Sequence, residues 1–229
     1  MPMDKIAVYM LTRNFYELAI PSIKSMIVHS DVDRIIVLAE DDGLPYWLPK
    51  VEVINVSDQE WFDPEGPNFK ETRFSFMVLL RAALHRILPD IDMVLSIDAD
   101  TIVTDNISDL WDIDMTDYYV AGAKELHKSK GGIQEQEDLY INCGVMMMNL
   151  KKLRDGTGDR IIQRLNAERF LFCEQDCINN ECQGKILEIP SCYNVNAFTK
   201  PTQDIRILHF AAVQNWRELP IVRAYARAF

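Results

Sequence analysis

Between residues 6 and 97, short apolar runs rich in β-branched residues alternate with stretches of helical apolar spacing. The runs fall at 6–11, 34–39, 51–56 and 93–97, each bounded by polar or Pro/Gly/Asp clusters, and the helical patterns at 16–29 and 72–88. Strands separated by helices pair in parallel, because a parallel neighbour needs a long crossover. Further strands are expected at 118–121, 140–150, 186–189 and 205–210, with helices at 159–169 and 174–182. The expected fold class is therefore α/β, a mostly parallel central sheet flanked by helices. No repeat, low-complexity segment or Gly/Ser-rich linker divides the 229 residues, so one domain over 1–229 is expected.

Composition narrows the function classes. With 48% hydrophobic residues and 22 aromatics the chain can bury a substantial core, which excludes a disordered segment or a small disulfide scaffold. The 35 acids against 24 bases give a net charge of −11, which repels phosphate backbones and anionic lipid and argues against nucleic-acid partners. The acid is concentrated: residues 90–138 hold 13 acids and 3 bases, which suggests a cation site there. No apolar run approaches the roughly 18 residues of a membrane span. The apolar stretch after Met1 reaches Arg13 too soon for the core of a secretory signal. A cytoplasmic chain, with at most weak peripheral contact at the inner face of the membrane, is expected. Five cysteines without paired spacing suit reduced thiols. A zinc site at Cys173, Cys177 and Cys182 would need a better-spaced fourth ligand than Cys192 or His209.

In an open α/β sheet, ligands sit beyond the carboxyl ends of the strands. There the chain reads Met93-Val-Leu-Ser-Ile-Asp98-Ala99-Asp100, an apolar strand ending in two carboxylates two residues apart. Side chains alternate along a strand, so both can lie on one side, where two like charges call for a hard cation such as magnesium or manganese. The alternative is a solvated loop, with Asp and Asn capping a short helix near 107–111. His209 closes the run at 205–210; as a ligand it would shift preference toward manganese, and otherwise it is a hydrogen-bonded core residue. Arg81 falls within the apolar stripe of Phe74, Met77, Leu84 and Leu88, so it needs an anion, either an internal carboxylate or a ligand's. Gly144, with Asn142, opens an apolar strand and suggests close approach of a backbone or ligand, while Met146 to Met148 read as core filler. Glu174-Gln175-Asp176 opens a helical pattern where the dipole favours acids.

In order and spacing, Thr12-Arg-Asn14, Arg81, Asp98-Ala99-Asp100, Asn142-Cys-Gly144, Glu174-Gln175-Asp176 and His209 resemble glycosyltransferase family 8, the family of glycogenin and the bacterial lipopolysaccharide galactosyl- and glucosyltransferases. The likeness runs from Ile6 to Trp216 and is densest from Arg81 through Asn106-Ile-Ser-Asp-Leu-Trp-Asp. It implies a GT-A fold and retaining transfer of glucose or galactose from UDP-glucose or UDP-galactose to a saccharide, glycolipid or protein acceptor. Manganese, or magnesium in its place, would bridge protein and diphosphate. Carried over, Thr12, Asn14, Asp98, Ala99, Asp100, His209 and Ala212 would contact the nucleotide, and Asp98, Asp100 and His209 the metal. Arg81, Asn142, Gly144, Glu174 and Gln175 would line the donor hexose. Gln175 and Arg81 would serve catalysis, with Asp176 supporting that wall. The resemblance implies a nucleotide-binding half at 1–100, a donor-sugar and acceptor half at 101–216 and a C-terminal segment at 217–229.

Two departures stand out. The family continues from its metal histidine into a Gly-Pro-x-Lys-Pro-Trp loop that grips the diphosphate, whereas this chain reads His209-Phe-Ala-Ala212-Val-Gln-Asn-Trp216, one residue shorter and without Gly, Pro or Lys. Either UDP binds more weakly, or another cation such as Lys200, Arg206 or Arg217 compensates. Glu174 also stands where the family usually has Asp. The acceptor would meet variable loops such as 124–138 and 194–203. Segment 217–229 reads as a packed helix or a weak membrane-surface anchor. A catalytically idle UDP-sugar-binding module and a sugar-nucleotide nucleotidyltransferase are the competing readings; the second would want a Gly-rich basic loop after the first strand, which Leu11-Thr-Arg-Asn-Phe is not.

Overall fold

A computed structural model describes residues 4–43, 48–69, 75–126, 139–199 and 203–227. In chain order its strands are β1 (Ile6–Leu11), β2 (Arg34–Ala39), β3 (Val51–Asn55), β4 (Met93–Ile97), β5 (Thr101–Val103), β6 (Val120–Lys124), β7 (Ile141–Asn149), β8 (Ile186–Glu188) and β9 (Ile207–His209). Seven form the central sheet, in the order β3-β2-β1-β4-β7-β6-β8. β7 runs antiparallel to both its neighbours, while β1, β2, β3 and β4 pair in parallel and β8 pairs parallel to β6. The helices are α1 (Tyr16–His29), α2 (Leu84–Ile87), α3 (Leu150–Leu153), α4 (Thr157–Ala167), α5 (Glu174–Glu181) and α6 (Pro220–Arg227).

The two-residue period of the strands divides the core between the two faces of the sheet. Ile6 and Val8 of β1 join Leu79, Leu80 and Leu84, together with Ile161 and Leu165 of α4 and Ile178 of α5. Ala7, Tyr9 and Leu11 point the other way, to Ala19, Ile23 and Met26 of α1. Met146 to Met148 of β7 are buried between β4 and β6, the packing role their apolar run predicts.

Several boundaries differ from the sequence expectation. The helix expected at 72–88 is a 3-10 segment over Phe76–Ala83 continuing into α2, and 72–74 lie outside the described residues. Ser75 explains the start, since its hydroxyl accepts from the Met77 N–H at 3.3 Å. The strand expected at 118–121 begins at Val120 and runs to Lys124, where β6 follows β7 through a bulge. The run at 205–210 narrows to β9, and the helix at 159–169 shifts to Thr157–Ala167. The short helix near 107–111 forms as Ser108–Asp112, with Asn106 Oδ1 accepting from the Ser108 N–H.

Segment 217–229 resolves toward packing over its described part. α6 buries Val222, hydrogen-bonds the Tyr225 hydroxyl with His29 Nε2 at 2.6 Å and accepts from Lys24 Nζ at the Ala226 carbonyl. Among the described residues no helix is long and apolar enough to cross a membrane.

Candidate metal and donor site

The site is made by the small two-stranded sheet that β5 forms with β9. Its antiparallel register sets Thr101 against His209, and the Phe210 N–H donates to the Asp100 carbonyl at 2.8 Å. From the main sheet, the Asp98 N–H donates to the Gly144 carbonyl at 2.8 Å, carrying the β4–β7 ladder one residue past Ile97. Asp98, Asp100 and His209 are thereby brought together, each offering a ligand atom within 4.8 Å of the others. His209 Nε2 lies 3.6 Å from Asp98 Oδ2 and 3.4 Å from Asp100 Oδ1. Burial disfavours the charged imidazole, yet the neighbouring Asp100 and Asp98 prevail and raise its pKa, against a smaller opposing effect of Arg81.

A turn of buried hydroxyls supports this arrangement. Thr101 Oγ1 donates to the Asp98 carbonyl at 2.9 Å and meets Ser22 Oγ at 2.7 Å, which in turn meets the Tyr9 hydroxyl. Gly144 is required by space: a Cβ there would sit 2.2 Å from His209 Cε1 and 2.9 Å from Asp98 Oδ2. Two carboxylates and one imidazole nitrogen within reach of one another are a donor set suited to a hard or borderline divalent ion. Cys173, Cys177 and Cys182 do not form such a three-ligand cluster among the described residues.

Arg81 finds its anions inside the protein. Its side chain is 4% exposed; Nε donates to Ser96 Oγ at 2.9 Å, Nη1 to Glu174 Oε1 at 2.9 Å and Nη2 to Asp98 Oδ1. Asp98 therefore faces Arg81 with one oxygen and the cluster with the other. Burial works against the guanidinium charge, and Asp98 and Glu174 more than offset it, so Arg81 stays charged. Glu174 is pushed up to about 7, because burial outweighs an arginine that it shares with Asp98. These bonds use three of the five guanidinium N–H groups of Arg81. Glu174, expected on the hexose wall, is bound to Arg81.

The start of α5 is held by strain and hydrogen bonds. Cys173, immediately before it, adopts φ 46°, a conformation costing a non-glycine residue on the order of 1–3 kcal/mol. Gln175 Oε1 accepts from the Cys143 N–H at 3.0 Å, and its Nε2 donates to the Tyr140 hydroxyl at 3.2 Å. Tyr140 in turn donates to Asp176 Oδ1 at 2.6 Å; burial and Asp176 both raise its pKa and keep the phenol protonated. Asn142 Oδ1 accepts from the Gly144 N–H and from Asn194 Nδ2, each at 2.9 Å, while Asn142 Nδ2 donates to Glu125 at 2.6 Å. His209 Nδ1 meets Asn194 Oδ1 at 2.8 Å.

Thr12 and Asn14 follow the carboxyl end of β1, half-buried and exposed respectively. Ala212 holds φ 61° and Asn215 φ 56°, so the turn after β9 keeps a left-handed backbone without a glycine. Arg206 is committed to Asp204 at 3.2 Å and to the Asn106 carbonyl, at the opposite end of β9 from His209. Arg217 is exposed on the 3-10 turn Trp216–Glu218, and Lys200 lies outside the described residues. Sequence reading missed Ser96, Glu125, Tyr140 and Asn194, which carry no periodic or motif signal of their own.

The family model for glycosyl transferase family 8 matches residues 7–218, and the chain belongs to that family. A Haemophilus influenzae protein provisionally named a glycosyltransferase is 27% identical over 151 residues, 60% of this chain and 44% of that one, so the match spans less than half of this curated relative. Among solved structures, the galactosyltransferase LgtC, in complex with donor and acceptor sugar analogues, superimposes with a TM-score of 0.72 at 18% identity over 96% of this chain and 95% of its own. GlyE, a Streptococcus pneumoniae glycosyltransferase, gives 0.73 at 17% identity over all of this chain and 61% of its own. At these identities the likeness is one of fold, and the fold is GT-A.

Proposed function

We propose that the protein is a retaining hexosyltransferase that moves glucose or galactose from a UDP-sugar to a saccharide, glycolipid or protein acceptor, with manganese as its metal and magnesium as the weaker substitute. The observation that carries this reading is the convergence of Asp98, Asp100 and His209 about Gly144, beside the buried Arg81. On it, residues 1–100 serve the nucleotide, through Thr12, Asn14 and the stretch Asp98-Ala99-Asp100, and 101–216 serve the sugar and acceptor within one domain. Ala212 contributes backbone beside the diphosphate. The described parts of the loops 124–138 and 194–203 flank the acceptor side.

Asp98, Asp100 and His209 would hold the ion, which when bound supplies positive charge to the departing diphosphate. Arg81 fixes Asp98 by a charged hydrogen bond and offers its two remaining N–H groups to the donor. Asn142, Gly144, Glu174 and Gln175 shape the hexose wall, Glu174 through its hold on Arg81. Gln175 has no carboxylate to form a covalent glycosyl intermediate. Front-face attack fits an amide there: the acceptor oxygen bonds to the anomeric carbon as the bond to the phosphate oxygen breaks, and that phosphate oxygen takes the acceptor's proton. The work left to Gln175 and Asp176 is orientation, and the bonds through Cys143 and Tyr140 supply it. A cytoplasmic setting, at or near the inner membrane face, suits the five free thiols.

One observation favours the idle-module reading instead: the 210–216 turn has no lysine, and Arg206 is turned away. Thermal stability with UDP and a panel of UDP-sugars, under manganese, magnesium or chelator, separates the two when released UDP is measured in the same samples. Transfer predicts metal-dependent stabilisation of about 2.7 kcal/mol at a ligand concentration 100 times its Kd, strongest for one UDP-hexose, with slow UDP release. Stabilisation without release supports the module. No stabilisation by any UDP compound overturns both.

A further inference from the structure

The polarity of the chain Glu125–Asn142–Asn194–His209 is fixed by one atom. A backbone N–H can only donate, so the group of Asn142 facing the Gly144 N–H at 2.9 Å is its oxygen. The Asn142 NH2 then faces the Glu125 carboxylate at 2.6 Å, an acceptor, and both ends of the amide agree. Because Asn142 presents oxygen, the group of Asn194 facing it at 2.9 Å must be the NH2. Asn194 therefore turns its oxygen to His209 Nδ1, 2.8 Å away, and a carbonyl oxygen there demands a proton on Nδ1. Asn194 and His209 are 2% and 4% exposed, so water cannot stand in for a lost partner. Flipping either amide would set donor against donor at Gly144 or acceptor against acceptor at Glu125 or Asn142.

We propose that Asn194, acting with Asn142, is a positioning residue that locks neutral His209 as its Nδ1–H tautomer and keeps the Nε2 lone pair turned toward Asp98 and Asp100. This is the tautomer an imidazole side chain favours less in water, so it must be imposed by the fold. The lock rests on the metal-site reading only for its consequence: Nε2 is the atom 3.6 and 3.4 Å from the two carboxylates, and a proton there would block it as a ligand. It also ties the histidine to Asn142 on the hexose wall, so the two halves of the site are set by one hydrogen-bond chain.

The test is the two-bond proton–nitrogen correlation spectrum of 15N-labelled full-length protein in alkaline buffer, above the His209 pKa. The chain has four histidines, and His209→Gln identifies the signal. Wild type should show Nδ1–H. Asn194→Ala should show Nε2–H signal and, by electron paramagnetic resonance of free manganese, a tenfold to hundredfold weaker metal affinity, about the range for outer partners of a metal ligand. Asn194→Asp, which still accepts from Nδ1–H but sets an oxygen against Asn142 Oδ1, should keep the tautomer and recover only part of the affinity. Nε2–H in wild type overturns the proposal whatever the variants do, as does a folded Asn194→Ala with tautomer and affinity unchanged. If wild type shows Nδ1–H but binds no manganese, the metal reading fails and the tautomer lock stands.

Discussion

The two flanks of the Asp98–Asp100 turn are built differently. Toward β7, α5 and β9, Arg81, Gln175, Asn142, Asn194 and His209 each have two or more partners fixed within the protein. Toward β1 and β2, Asn14 is exposed, the Arg13 side chain is 78% exposed at 3.6 Å from Asp41, and the turn after β9 relies on left-handed Ala212 and Asn215. The first flank is preorganised where charge would develop, and its hydrogen bonds cost no rearrangement on reaction. On the proposed function, the second is left for a nucleotide to order. A catalytic wall and a substrate entrance divide the work this way when chemistry needs rigidity and turnover needs release.

The largest blow to the rigid flank is Arg81→Met, which leaves Glu174 buried without its cation. Removing one member of a buried pair costs about 3–5 kcal/mol, and urea unfolding should show it, with Arg81→Lys intermediate. Asp100→Asn should do the reverse, leaving the urea midpoint unchanged or higher while metal-dependent turnover falls by about 100-fold or more, beyond what outer partners of a ligand cost. Gly144→Ala should cost about 1–3 kcal/mol by overpacking, and the added methyl, meeting His209 at 2.2 Å, should weaken manganese binding in a protein that still folds.

Stability should also carry a pH signature from Glu174. Its carboxyl is raised from 4.5 to about 7 in the fold, so the folded state holds the proton more tightly than the unfolded one. That contribution is fully present below 4.5 and is lost as pH rises through 7. Glu174→Gln should flatten this part of the melting-temperature profile, and an unchanged slope would remove Glu174 as its source. On the open flank, Ala212→Gly relieves φ 61° and should raise stability by about 0.5–1 kcal/mol in thermal melts, the left-handed penalty less the glycine entropy.

The same division explains what the sequence made legible. β1, α1, β2 and β4 appear with the boundaries that periodicity predicts, because each is a regular apolar element whose neighbours are close in the chain. β5 was missed: three residues give no period, and its partner β9 is about a hundred residues away. That pairing is what carries His209 to Asp98 and Asp100, so the resemblance could suggest the trio while spacing alone could not. Arg81 was legible as a buried cation in need of an anion, but Glu174 as that anion depends on where α5 docks. Asn194 is beyond sequence reading altogether, since an asparagine in an irregular stretch signals a turn as readily as a link between a histidine and a second asparagine.

The most direct measurement is calorimetric titration of UDP into wild type and Asp100→Asn, each with manganese and with chelator. UDP is expected to bind well only to wild type with manganese, with the variant and the chelated sample alike and weak. Equal UDP affinity with and without manganese, or in the variant and wild type, would contradict it, because the Asp98–Asp100–His209 cluster would then not be what receives the diphosphate.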